Sequence, residues 1–277
     1  LSMTACLLTG CGVYRNYSRP DMEVEERYRN VEITDTTTIA SLSWRELFTD
    51  EQLQTLIEKG LERNTDLNIA RLRVEEAKAV LMNARLSYLP SIALNPEAGI
   101  GRYDGTASKT YNLWASASWE ADIFGRNTNA KRGARAAFEG RQDYMLAVQT
   151  GLISSIAESY YMLLMLDSQL AIGERTLECW EKSIRTLEAL KRAGQSNDAA
   201  VLQARANRMA LESSVLSIRK SITETENALS ALLALPSQSV ERGSLADAAF
   251  PETVSVGVPV QLLANRPDVR QAERNLA

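Results

Sequence analysis

At 277 residues, 45% hydrophobic and 24% charged, the chain has room for one large domain or two ordinary ones and is neither disordered nor a bundle of membrane-spanning helices. A net charge of −4 and a pI near 5.2 argue against nucleic acid as a partner. Histidine is absent and no nucleophile or metal motif stands in its place, so the expectation is a non-enzyme with no cofactor and no metal.

No window holds the roughly 18 apolar residues in a row that a spanning helix needs. The three cysteines, Cys6, Cys11 and Cys179, show no CxxC spacing and no disulfide framework. Leu7–Cys11, LLTGC, resembles the signal box of bacterial lipoproteins, in which a small residue and Gly precede the acylated Cys. Cys11 is therefore the expected lipidation (palmitate) site. Residues 1–10 read as the remainder of a signal peptide whose start lies upstream, and 11–43 as a polar, lipidated arm. Gly12, where Asp would signal retention in the inner membrane, favours the outer one. Cys179 sits in a helical pattern and reads as a small buried hydrophobe.

Residues 44–88 are predicted helical. Trp44, Leu47, Phe48, Leu53, Leu56, Ile57 and Leu61 recur at spacings of three and four, with Gly60 as a possible break. Asn64–Thr65 starts a second helix with Leu67, Ala70, Val74, Ala77, Leu81 and Ala84 on one stripe, ended by Pro90. The period then changes to two over 89–124. Ser91–Tyr103 and Tyr111–Ile123 each alternate an apolar and a largely polar set, joined by the turn RYDGTASKT. Strands this long, with Tyr111, Trp114 and Trp119 as candidates for an interfacial aromatic belt, suit a transmembrane barrel as well as a soluble sheet. A lone hairpin is unstable, so strands from elsewhere must complete the sheet.

From 125 to 235 the pattern is helical again. Leu163, Leu166, Leu170, Leu177, Trp180, Ile184 and Leu187 repeat at three and four around Gly173. Sixty-odd residues of helix reach about 100 Å, the length of a coiled coil or helical tube. AGQSND breaks it near 192–199, with Gly194 suited to a left-handed C-terminal cap and Ser196 or Asp198 to the next N-cap. The return helix has Leu202, Met209, Leu216, Ile222, Leu229 and Leu232 as its expected buried series. Residues 236–265 read as a connector, and 266–277 as the start of another helix in which Asp268, Val269 and Ala272 echo Asp66, Leu67 and Ala70.

Together these residues resemble the TolC/OprM-type outer-membrane efflux proteins. Trp44, Phe48, Asn64, Asp66, Leu67 and Leu89-Pro90 match that family's opening, and SWEADIFGR its S-W-E-x-D-x-F-G-R signature where strand passes into long helix. Arg192-Ala193-Gly194 with Asp198 resembles its helical tip, and NRPDVRQAE the start of its second repeat. The signal box points to the lipidated, NodT-like branch. Ala121 departs slightly, where a larger aliphatic is usual, and the second repeat stops after a dozen residues. The chain is accordingly expected to be a fragment that cannot close a barrel alone.

The resemblance implies a mainly α fold with a transmembrane β-hairpin, the first half of a protomer that combines β-barrel and helical tunnel. Three protomers would form an outer-membrane duct, joined to an inner-membrane pump by a periplasmic adaptor and passing drugs, detergents, metals or other small molecules. The junction residues would be Trp119, Phe124, Gly125 and Arg126, and the adaptor-contacting tip Arg192, Gly194, Ser196 and Asp198. Glu120 and Asp122 share the polar parity of the second strand. They read as lumen-facing carboxylates, as a solvated strand face, or as acids shaping the junction. The competing reading of the whole is a periplasmic coiled-coil scaffold or adaptor.

Overall fold

The computed structural model describes residues 43–103, 105–248 and 265–276. Cys11, the signal box, the polar arm and much of the 236–265 connector lie outside them. The chain divides into two compact units. One comprises Ala70–Leu146 with the described part of Leu263–Ala277, the other the described parts of Glu25–Ile69 and Ala147–Leu262. In chain order the elements are α1 (Trp44–Leu47), α2 (Glu51–Arg63), α3 (Thr65–Leu86), β1 (Ser91–Tyr103), β2 (Thr106–Ser118), α4 (Arg126–Arg192), α5 (Asp198–Leu232), a 3-10 turn (Leu245–Asp247) and α6 (Pro267–Leu276).

In the second unit, the single helix expected from Ser43 is two. Asp50 accepts the backbone N–H groups of Gln52 and Leu53 at 2.8 and 3.1 Å, which starts a fresh helix after Phe48 and Thr49. Gly60 is not a break. The helix α2 runs through it, and a Cβ there would lie 2.4 Å from Ile156 Cδ1, so the glycine lets α2 press onto α4. Asn64 starts α3 as expected and does more besides. Its amide oxygen accepts from Leu67 N at 2.9 Å and its nitrogen donates to Leu232 O at 2.9 Å, so one buried side chain caps α3 and receives a carbonyl from the end of α5. The core gathers Leu53, Ile57, Ile156, Tyr160, Leu163, Leu164 and Leu229, all 1% exposed or less.

Beyond this core α4 and α5 run as an antiparallel hairpin. A Cβ on Gly173 would meet Val215 at 2.9 Å, which marks a close crossing. In this stretch of α4 three acids seven residues apart bond across to α5: Glu174 to Arg219 at 2.6 Å, Glu181 to Arg208 at 3.2 Å and Glu188 to Arg205 at 2.6 Å. Exposed pairs stabilise by only about 0.2–1 kcal/mol each, but a ladder of them penalises any slipped register. The expected seam of α5 holds at Leu229, with Ile222 and Leu232 half-buried, and is displaced towards the turn. Val201, Ala204, Val215 and Leu229 are buried, whereas Leu202, Met209 and Leu216 are 61–67% exposed. Heptad spacing alone could not say which of two apolar rows faces α4. Cys179 is exposed rather than buried, because it lies away from the Leu177/Trp180 side of its helix.

In the first unit, α3 buries Leu81 and Val74 on the expected stripe, with Ala77 and Ala84 half-buried. The strands β1 and β2 pair antiparallel in the register Ile92↔Ala117, Leu94↔Ala115, Pro96↔Leu113, Ala98↔Tyr111. Their connection is much tighter than the nine-residue turn expected, since pairing extends to Tyr103↔Thr106. The second strand also ends earlier, at Ser118, so Glu120 and Asp122 do not lie on a strand face. Asp122 bonds to the helix ahead instead of continuing the ladder. The long helix that follows runs from Arg126 to Arg192, within the helical stretch expected from 125.

Candidate functional site

Two places gather the residues singled out from the sequence: the passage from strand to long helix, and the turn between the long helices.

At the first, the chain leaves β2 and must supply partners for the unbonded N–H groups that open α4. Asp122 supplies them. One carboxylate oxygen accepts from Asn127 N at 3.0 Å. The other accepts from Thr128 N at 2.8 Å and from the Thr128 hydroxyl at 2.7 Å. Between them Gly125 adopts φ +73°, a left-handed conformation that a β-branched residue resists. Arg126 reaches back to both oxygens of Glu120 at 3.3 Å. Trp119 donates from its indole N–H to Tyr88 O at 3.1 Å, and the Tyr88 hydroxyl meets Thr128 Oγ1 at 3.0 Å. The end of α3, the exit of β2 and the start of α4 are thus tied into one knot. Phe124 and Ile123 take no part and stand 86% and 72% exposed.

The hydrogen bond from the Thr128 hydroxyl, then those from backbone N–H groups, hold the Asp122 carboxyl below its ordinary value of 3.8. A depressed carboxyl stabilises the fold above its unfolded pKa and stops doing so as pH falls through the folded one. The cap should therefore be intact at pH 5 and fail only below about pH 4. At neutral pH, Asp122→Ala should speed amide exchange at Asn127 and Thr128 roughly tenfold. Hydrogen-exchange mass spectrometry of the peptide spanning α4's first turn reads both effects.

At the second place, Gly194 at φ +76° closes α4. Gln195 N donates to Leu190 O at 2.9 Å and Gly194 N to Lys191 O at 3.0 Å, the paired bonds of a Schellman cap. The N-cap of α5 is Asn197, whose side chain accepts from Ala200 N at 3.0 Å, and neither Ser196 nor Asp198. Asp198 instead pairs with Lys191. Arg192 lines a groove of about 310 Å3 with Glu188, Lys191, Asp198, Val201, Leu202 and Arg205.

Sequence reading missed a third cluster, in the second unit. The Tyr160 hydroxyl donates to Asp50 at 2.7 Å and accepts from Gly243 N at 3.4 Å, and burial, then the Asp50 bond, pushes its pKa up to about 12. One residue away, Arg242 donates to Asp167 at 2.5 and 3.0 Å and to Glu226 at 2.6 Å. Asp50, Asp167, Glu226 and Arg242 lie far apart in the chain, and no spacing joins them. These side chains fasten residues 240–243 across α4. Among the described residues no group of His, Cys, Asp or Glu is arranged to hold a metal ion.

A sequence profile described as outer membrane efflux protein matches residues 56–235. Over 285 residues the chain is 31% identical to the cation efflux system protein CusC of Escherichia coli O6:H1, covering 98% of this chain and 61% of CusC. It is 27% identical to nodulation protein T of Rhizobium leguminosarum bv. trifolii, covering 98% and 60%. Among solved structures, the outer-membrane channel OprN superposes with a TM-score of 0.82 at 26% identity, covering 95% of this chain and 61% of that one. The chain thus spans about three fifths of the length of these relatives.

Proposed function

Because the chain belongs to the outer membrane efflux protein family, we propose that it contributes to each protomer of a trimeric outer-membrane duct, through which small molecules pass passively from periplasm to exterior. The observation that carries this reading is the hairpin. Two paired strands of 13 residues each leave one apolar face bare, with Ile92 79%, Leu94 67%, Ile100 80% and Leu113 70% exposed. A barrel strand crosses the hydrocarbon core in about 9–11 residues, so these are long enough. Burying each aliphatic side chain in lipid is worth about 1.5–3 kcal/mol. A two-stranded ribbon cannot stop there, because its outer edges would be unbonded in hydrocarbon and must pair on into a closed barrel.

The other face, with Asn95, Glu97, Thr110 and Asn112, then lines the aqueous lumen. Glu120 and Asp122 sit at its periplasmic mouth, where Arg126 answers Glu120 and Asp122 shapes the passage from strand to helix. The helices α4 and α5 continue as staves of a periplasmic tunnel. Their turn at Arg192, Gly194, Ser196 and Asp198 faces a periplasmic adaptor that joins the duct to an inner-membrane pump. An acyl chain on Cys11 adds a lipid anchor.

Cys11→Ala separates barrel insertion from the anchor. The variant should stay with the outer-membrane fraction through an alkaline carbonate wash. Release into the soluble fraction would overturn the duct and favour a lipid-tethered periplasmic scaffold.

A further inference from the structure

In the first unit, α4 carries a buried acid whose charge, among the described residues, is answered by α6 alone. Asp143 is 2% exposed, and its Oδ1 accepts no hydrogen bond of ordinary geometry. The compensation is ionic: Arg270 Nη2 pairs with Oδ1, and Arg274 Nε stands 4.0 Å from Oδ2. One turn back along α4, Glu139 pairs with Arg274 Nη1 at 3.1 Å. The two acids are four residues apart and so are the two arginines, which puts each pair on one helix face. The ion pairs ascend on α4 as they descend on α6, so the two helices lie antiparallel. Between the acids is Gly140, where a Cβ would stand 3.4 Å from Arg274 Cβ. The glycine lets α6 settle close enough to bring its arginines over the acid. Asp143 is buried within this chain alone, so helices packed against the outside of the unit reach it only by displacing α6.

The chain holds a second segment of similar pattern. Asp268, Val269 and Ala272 of α6 echo Asp66, Leu67 and Ala70 of α3, and the same offset lays Arg270 on Asn68 and Arg274 on Leu72. The cations of α3 are Arg71, Arg73, Lys78 and Arg85, and no two of them are three or four residues apart. Seated in place of α6, α3 would set an amide and an aliphatic side chain against Asp143 and Glu139. We propose that Glu139, Gly140 and Asp143 form a charge-selective seat, which admits α6 of the same chain through two cations one turn apart and rejects the α3 pattern. Asp143 is the selecting residue. A helix without the arginines would leave its charge buried and unpaired, which costs far more than the pair itself contributes. An apolar residue at 143 would pack on either helix and choose neither.

The test places cysteines at Gly140 and Arg274 of the whole protein in detergent, in a chain whose own cysteines are replaced by alanine. The 3.4 Å between these Cβ positions is close to the roughly 3.8 Å of a disulfide. Arg135, which bonds Glu139 at 2.9 Å, keeps that acid paired without Arg274, and Asp143 is left to Arg270. Oxidation should join the two cysteines within one chain, read as a faster band on a non-reducing gel. Adding Arg270→Glu should slow the cross-link at least roughly tenfold, because two carboxylates then meet in a buried site. Combining Arg270→Glu with Asp143→Leu should return it close to the parent rate, since no buried charge remains to reject α6. A cross-link that withstands Arg270→Glu beside Asp143 overturns the proposal. So does one lost equally in the Asp143→Leu background, because Arg270 then serves only α6 itself. No cross-link in the parent pair, or a product mainly between chains, overturns it as well. None of these substitutions touches β1 or β2, so retention in the outer-membrane fraction tests the duct separately.

Discussion

Replacing Arg242 with alanine should destabilise the helical unit by about 3 kcal/mol, the low end of the range for breaking a buried ion pair. The guanidinium is 13% exposed and bonds to Asp167, to Glu226 and to the carbonyl of Val240 at 3.0 Å. The Asp167 bonds, and after them Glu226, hold its pKa above the ordinary arginine value against the opposing pull of burial. Truncation leaves two carboxylates facing each other with no cation, and Glu226 is itself only 15% exposed. Asp167, at 39%, keeps some contact with water, which is why the cost is placed at the lower end. Denaturant unfolding measures the loss, and the pair Arg242→Met with Glu226→Gln isolates its cause. If an orphaned buried charge is responsible, the double variant regains most of the stability of the parent. If the arginine acts only by covering apolar surface, the second substitution changes nothing.

A bulky side chain at Gly60 should cost a similar amount by the opposite route. Alanine there already brings Cβ to 2.4 Å from Ile156 Cδ1, but that atom is the end of a flexible side chain and can swing away. Leucine cannot be accommodated so cheaply, because Leu233 Cδ2 stands 3.5 Å from the same point and Ile156 is fully buried. Gly60→Leu should therefore lose about 3 kcal/mol to overpacking, and Gly60→Ala less than half of that. Pairing Gly60→Leu with Ile156→Ala opens space at the point of collision and should recover part of the loss. An unaltered cost in that double variant would mean that α2 is held off α4 by something other than this contact. The same close approach explains why a glycine can sit in mid-helix without breaking it: the propensity it forfeits, about 1 kcal/mol, is outweighed by the packing it permits.

Much of the architecture is written in local pattern. Apolar residues at three and four marked α3 and the long α4, and a change of period to two marked both strands. Gly194 marked the turn between the long helices. Each of these signals depends on residues within a few positions of one another, and each follows from backbone geometry: 3.6 residues per helical turn, two per pleat, and the left-handed conformation that glycine adopts without penalty. The junction was only half legible. The residues WEADIFGR pointed to a passage from strand to helix, but alternation suggested that β2 ran on to Ile123. Asp122 prefers the N–H groups of Asn127 and Thr128 to a place in the ladder, and a two-residue period cannot register that competition. Tyr88 and Thr128, which complete the knot, carried no signal of their own.

Burial was the other matter left open. Both Val201/Ala204/Val215 and Leu202/Met209/Leu216 are apolar rows on α5, and periodicity ranks the larger side chains first. The fold chose the smaller ones, because α4 and α5 approach closely at Gly173 and Val215 and leave no room for leucine between them. Likewise Tyr160 with Asp50 and Gly243, and Arg242 with Asp167 and Glu226, join residues separated by 75 positions or more, Glu226 alone being nearer. By itself the sequence determined the long elements, their order and the glycine that closes α4, since those depend on neighbours along the chain. Only the tertiary structure decided which faces meet, which charges are answered and which are left over, because those depend on distances between residues that the chain brings together from afar.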